Sequence, residues 1–229
     1  MKIEVHRAEE RGTAKHGWLH SKHSFSFADY YNPEKMGFGK LRVLNDDIVD
    51  PGQGFGTHHH DNMEIVSIVL EGSLEHKDNA GNHGVIKTGD IQRISAGSGI
   101  THSEYNHSKK EKVNFLQIWI ETKEHNIKPS YEQKNFKDNE FKLVISGNKK
   151  DNVLFINQNA FFSLGYLDDK IEYKLKEKNN GVYIFVIKGN VSIEGKQLKD
   201  RDAIGISEVD KINIKAKDSK ILLIEVPMN

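Results

Sequence analysis

The chain has 229 residues, enough for one large domain or two small ones, and its 29% charged and 36% hydrophobic residues make it polar without the profile of a disordered chain. Lys plus Arg and Asp plus Glu tie at 33 each, which argues against direct binding of nucleic acid or a membrane surface through bulk positive charge. With no cysteine, disulfide scaffolds, thiolate zinc sites, iron–sulfur clusters and cysteine nucleophiles are excluded.

At the N-terminus, Met1-Lys2-Ile3-Glu4 opens no apolar core of signal-peptide length. The longest apolar runs reach about six residues against the roughly 20 that span a bilayer, so a soluble cytoplasmic protein is expected. His20 and His23 precede Phe25 and Phe27, which alternate with Ser24 and Ser26 as strand residues do. They read as a cross-strand packing element with surface histidines, or as a pocket wall. All 12 histidines fall between His6 and His125, so any histidine chemistry belongs to the first half.

The sharpest segment is Gly54-Phe55-Gly56-Thr57-His58-His59-His60-Asp61-Asn62-Met63-Glu64. Side chains at i and i+2 share one face of a strand, so His58 and His60 converge while His59 points away. The run Glu64 to Leu70 reads as a strand ending at a Gly72 turn. His76 and His83 flank the polar turn Lys77 to Asn82 and are expected in solvent. Further on, His102 and Glu104 again stand at i and i+2. Two such pairs on adjacent strands would surround one point with three imidazoles and a carboxylate. That donor set suits a divalent first-row transition metal and leaves positions for water or substrate, whereas Mg²⁺ and Ca²⁺ prefer all-oxygen shells. Glu64, separated from His60 by three residues, is the rival carboxylate or else a group orienting a histidine. His107, beyond Asn106, is a lesser candidate for such support. Phe55, Met63, Phe115, Gln117 and Trp119 fall on strands around these pairs, as barrel core or as the wall of a pocket for a flat aromatic substrate.

After the strand Val113 to Ile120, the stretch 123–140 is polar, lysine-rich and contains Pro129; it reads as the connection between domains 1–122 and 141–229, with at most a short helix over Tyr131 to Phe136. The second domain carries strand runs at Gly181 to Ile187 and Lys220 to Val226. Strand signals at spacings of about 8–12 residues, with no sustained helical period, predict an all-β sandwich or barrel. Ile68 to Leu74 matches Phe185 to Val191, and Thr88 to Ile91 finds an echo in Asp200 to Ala203, so an internal duplication is expected.

Gly52, His58, His60, Glu64 and Gly72 resemble the first cupin motif, and Gly89 through Asn106 the second. Seven residues between Glu64 and Gly72, and Ser95-Ala96-Gly97 where many cupins have proline, depart from the general pattern in the manner of the pirin family. The segments His20 to Asn32, Met36 to Asp47 and Gly97 to Asn106 resemble pirins as well. The likeness is strong over about residues 7 to 121, positional after 140, and nearest to bacterial pirin-like quercetin 2,3-dioxygenases. His59 stands where that family usually has proline. The resemblance implies a bicupin of two jelly-roll-like β-barrels, with one metal ion in the first, held by His58, His60, His102 and Glu104 rather than Glu64. Iron is the expected ion, with Ni, Cu, Mn, Co or Zn as alternatives. Counting from Gly189 and Asp202 places Leu175, Glu177, Ile214 and Ala216 at the corresponding positions of the second barrel, which is therefore expected to be metal-free. The implied activity is a metal-dependent dioxygenase that cleaves a quercetin-like flavonol with O₂, Glu104 serving as the base for the substrate's 3-hydroxyl. The alternative is a metal-binding regulatory protein acting through a protein partner, as a transcription cofactor or enzyme modulator.

Overall fold

A computed structural model describes residues 1–136 and 140–229. The strands in chain order are β1 (Lys2–His6), β2 (Gly12–Lys15), β3 (Leu19–His23), β4 (Leu41–Val49), β5 (Gly54–His60), β6 (Met63–Glu71), β7 (Ser73–Asp78), β8 (His83–Lys87), β9 (Asp90–Ser95), β10 (Ile100–Asn106), β11 (Val113–Glu121), β12 (Ser130–Asn135), β13 (Lys142–Ser146), β14 (Leu154–Phe155), β15 (Phe161–Leu167), β16 (Lys170–Lys174), β17 (Asn180–Ile193), β18 (Lys196–Leu198), β19 (Ala203–Ser207) and β20 (Lys211–Pro227). The helical elements described are two 3-10 turns, Ala8–Glu10 and Lys149–Asp151. The all-β bicupin architecture expected from the sequence is thus present. No described helix is long and apolar enough to cross a membrane.

The chain divides into two compact units. One comprises Gly12–Gly37 and Leu41–Lys137; the other comprises Met1–Arg11, Phe38–Lys40 and Asp138–Asn229. In the first, a seven-stranded sheet runs β12-β9-β6-β11-β4-β3-β2 and a four-stranded sheet runs β5-β10-β7-β8. Central β6 is hydrogen-bonded on both sides and buried along most of its length, which explains its nearly unbroken apolar run rather than a strict alternation. The second unit is one nine-stranded sheet ordered β1-β19-β17-β20-β15-β13-β14, with β16 against β20 and β18 against β17. Here β17 and β20 are 14 and 17 residues long, and register shifts along their pairing bend them around a single apolar interior.

Residues 131–136, expected to form at most a short helix, instead carry most of β12, an edge strand pairing with β9 from Ser130↔Ser95 to Asn135↔Asp90. Its outward side chains are polar, as suits an edge. In the second unit, β1 takes the equivalent edge beside β19. The two echoing aspartates tie these edges down in the same way. Asp90 Oδ2 accepts from the Lys87 amide and from Gln133 Nε2 on β12, while Asp202 accepts from the Lys199 and Ala8 amides and from Arg7.

Candidate metal centre

The polar centre of the first unit lies between two apolar clusters. Leu19, Val49, Val69, Leu74, Ile86, Val113 and Phe115 form one; Ile65, Ile94, Ala96 and Ile100, with Met63, Trp119 and Tyr131 packed against them, form the other. Phe115 and Met63 therefore go to the core, whereas Phe55, Gln117 and Trp119 line the pocket beside His58, His60 and Glu104. That pocket holds about 200 Å³ and shares Phe27, Asn45, Asp47 and Phe55 with a neighbouring space of about 280 Å³ lined by His16, Trp18, Ser21 and His23.

Strand β5 brings His58 opposite His102 on β10, and the pairing then slips by a bulge before Glu104. Close approach at the slip requires a glycine: a Cβ on Gly54 would stand 2.3 Å from the Glu104 carbonyl oxygen. The rings of His58, His60 and His102 are 4.5–5.0 Å apart by centroid, and one ligand nitrogen from each falls within 4.8 Å of the others. His59 is exposed on the opposite face, beside Asp61, as the alternation requires.

His58 and His102 are each held with a nitrogen to spare. His58 Nδ1 lies 2.8 Å from the Gly56 carbonyl oxygen, so it donates there and leaves Nε2 as a lone pair. His102 Nε2 is buried with no hydrogen-bond partner. Burial, then the neighbouring His102 and His58, pushes His60 down to about 4. Burial, then His58 and His76, pushes His102 down to about 3. Both imidazoles are therefore neutral at physiological pH, the state in which histidine donates a lone pair. Trp119 packs edge-on against His60 at 4.9 Å and against Phe27 at 5.3 Å, closing the aromatic side of the pocket.

Glu104 is buried, and its carboxylate accepts from three uncharged donors: Ser67 at 3.0 Å and Gln92 at 2.9 Å on Oε1, Gln117 at 2.6 Å on Oε2. The rival Glu64 is also buried but accepts from Ser95 at 2.7 Å and does not line the pocket. His76, expected in solvent, is fully buried: β7 extends to Asp78, and His76 and Asp78 follow Leu74 on its inward face. His76, His102 and Glu104 form a second group of converging ligand atoms that shares His102 with the first. Ser67 and Gln92, unremarkable in sequence, also escape a reading by residue type. His83 and His107 are exposed and both reach Glu75, and His20 is exposed, whereas His23 is buried against Phe27.

Residues 4–120 match the pirin family, and residues 143–226 match the quercetinase C-terminal cupin domain. The chain belongs to the pirin family. This pirin is 44% identical over 228 residues to the quercetin 2,3-dioxygenase of Escherichia coli K12, covering 98% of this chain and 99% of that protein. It is 39% identical over 225 residues to a pirin-like protein of Caulobacter vibrioides, covering 95% and 96%. Among solved structures, it superposes on the bacterial pirin YhhW of Escherichia coli, crystallised with nickel(II), with a TM-score of 0.94 at 44% identity and 99% coverage of both chains.

Proposed function

We propose that this pirin is a metal-dependent dioxygenase of the quercetinase type, cleaving a flavonol-like substrate with O₂ and located in the cytoplasm. The observation that carries the reading is the convergence of the His58, His60 and His102 imidazoles, with His58, His60 and Glu104 on the wall of an aromatic pocket. The residues fit one divalent transition ion. An unpartnered buried Nε2 on His102 and a freed Nε2 on His58 are donors that nothing else uses, and Glu104 adds an anionic oxygen. His58, His60, His102 and Glu104 would hold the ion, iron being our first choice among the transition metals.

When bound, the ion supplies Lewis acidity toward a substrate oxygen and redox chemistry toward O₂. The chain supplies the rest. Phe27, Phe55 and Trp119 exclude water and clamp a planar ring system between aromatic faces. Ser67, Gln92 and Gln117 aim the Glu104 carboxylate without cancelling its charge. Glu104 takes the proton of the substrate's 3-hydroxyl, and Oε2, bonded to Gln117 on the pocket wall, is the oxygen that receives it. The neighbouring space past Phe55 leaves room for a second ring of the substrate.

Oxygen uptake with quercetin by the metal-loaded protein tests the proposal, with His58→Ala as control. Uptake in the wild type and none above background in the variant is the expected result. A fully metallated wild type that consumes no oxygen with any flavonol would reject the activity and favour a regulatory role through a protein partner.

A further inference from the structure

Behind the imidazole cluster lies a buried histidine–carboxylate pair that the mechanism above does not use. His76 and Asp78 stand on β7, whose register sets Asp78 opposite His102 and His76 opposite Glu104. Neither side chain has exposed surface; His76 Nε2 lies 3.1 Å from Asp78 Oδ2, and His76 Nδ1 lies 3.4 Å from His102 Nδ1. Asp78 is fixed in turn, Oδ1 accepting from the Ala80 and Asn82 amides and Oδ2 from the Asn82 side chain. Tyr131 stacks on the His76 ring at 4.7 Å with the planes 22° apart.

These contacts fix the protons one after another. A carboxylate can only accept, so His76 donates to Asp78 through Nε2–H. His76 Nδ1 faces His102 Nδ1, and of two ring nitrogens in contact one donates and the other accepts; a His102 that binds an ion through Nε2 carries its proton on Nδ1 and donates it to His76. His102 is left with a bare lone pair on Nε2, the same atom that is buried without a partner.

We propose that Asp78 and His76 form a positioning pair that sets the tautomer and ring plane of His102 and so presents Nε2 to a divalent ion. This rests on the metal reading above. It also decides between the two overlapping groups of converging ligand atoms. Both His76 nitrogens are engaged, one by Asp78 and one by His102, so His76 acts through His102 and is not itself a ligand.

The test is Co(II) affinity by chelator competition, with the visible spectrum of the Co(II) protein, for Asp78→Asn, His76→Phe and His76→Gln in the full chain. In Asp78→Asn the Ala80 and Asn82 amides retain the side-chain oxygen, so the new NH₂ faces His76 and donates. His76 then carries its proton on Nδ1, opposed to His102 Nδ1–H, and the His102 tautomer is inverted. Affinity should fall about 10–100-fold with a changed spectrum, as for loss of an outer partner of a metal ligand. His76→Phe should do the same. His76→Gln offers a carbonyl acceptor to His102 and should restore affinity to within about fivefold of wild type, with the wild-type spectrum. Wild-type affinity and spectrum in Asp78→Asn would overturn the proposal. So would a His76→Gln protein as impaired as His102→Ala, which would make His76 a ligand. If Asp78→Asn fails to fold, the His76 pair decides alone. A wild type that binds no Co(II), Ni(II) or Fe(II) would sink the metal reading itself, and that arm is read before any variant.

Discussion

In the first unit β5 faces β10 with His58 opposite His102; in the second, β16 faces β20 with Ile171 opposite Ile214 and Tyr173 opposite Ile212. Across the next ladder, Asp78 and His76 stand opposite His102 and Glu104, whereas Ile193 and Val191 stand opposite Ile214 and Ala216. The strand orders β12-β9-β6-β11-β4-β3 and β1-β19-β17-β20-β15-β13 run in parallel, edge strand for edge strand. One scaffold therefore carries two kinds of interior. At the equivalent positions the second is filled by an apolar cluster of the described residues, stabilised by burial. The first is split into two apolar clusters by polar residues, whose burial is tolerated because most of them are paired. Both groups of converging ligand atoms found among the described residues lie in that split interior.

The largest effects should come from breaking the polar interior. His102→Ala should lower metal affinity by more than the 10–100-fold expected for losing an outer partner, since a donor is lost outright; elemental analysis after dialysis reads this. Glu104→Gln, checked for full metal content, should lower flavonol turnover roughly 10²–10⁴-fold, whereas Glu64→Gln, bonded to Ser95 away from the pocket, should stay within about tenfold. Steady-state oxygen consumption measures both, and equal losses in the two variants would remove Glu104 from its role as base.

The apolar interior should fail differently. Ile214, fully buried, occupies the place that counting assigns to His102. Ile214→Ala should lower unfolding free energy by about 2–5 kcal/mol in urea while one metal per chain is retained. Metal loss without loss of stability in this variant would contradict the division of labour.

A smaller effect is expected at Asp202, whose folded value lies below the usual carboxylate range. Burial opposes the shift, and bonds from the Ala8 and Lys199 amides and from Arg7 outweigh it. Asp202→Asn should cost about 1–3 kcal/mol at pH 7. Because the folded group holds its proton less tightly than the unfolded one, its stabilisation is full above the unfolded pKa of about 3.9 and is lost as pH falls through the lower folded value. The stability gap between wild type and variant should therefore close on acidification toward that value, as followed by urea titrations at successive pH. A gap that stays constant would rule out the carboxylate charge as its source.

The convergence of His58, His60 and His102 was legible because period-2 geometry acts within a few residues: pairing His58 with His60, and His102 with Glu104, needed only the assumption of strands. His76 was hidden by its company, since Lys77 to Asn82 has the composition of a solvated turn. The inward direction of Leu74, carried forward two residues at a time, is the signal that finds both His76 and Asp78. Counting from Gly189 placed Leu175 and Glu177 in the ligand-equivalent positions, but pairing puts Ile171 and Tyr173 against β20, because loop lengths differ between the units. β12 looked like a linker because its pairing with β9 is non-local and its exposed face is polar.

The N-terminal edge strand bears on how the chain is made. β1 is synthesised ahead of the histidine-bearing strands, yet its partner β19 and the anchoring Asp202, 195 positions beyond Arg7, follow after them. The unit that holds the histidine cluster has its own edge strand, β12, far earlier in synthesis. On a ribosome the histidine-bearing barrel can close while the leading segment still waits, and the second barrel can be finished only by recapturing that segment across a long loop, the kind of contact that slows folding. Removing residues 1–11 should therefore leave the histidine cluster assembled and expose the β19 edge, turning a folding delay into an aggregation-prone surface.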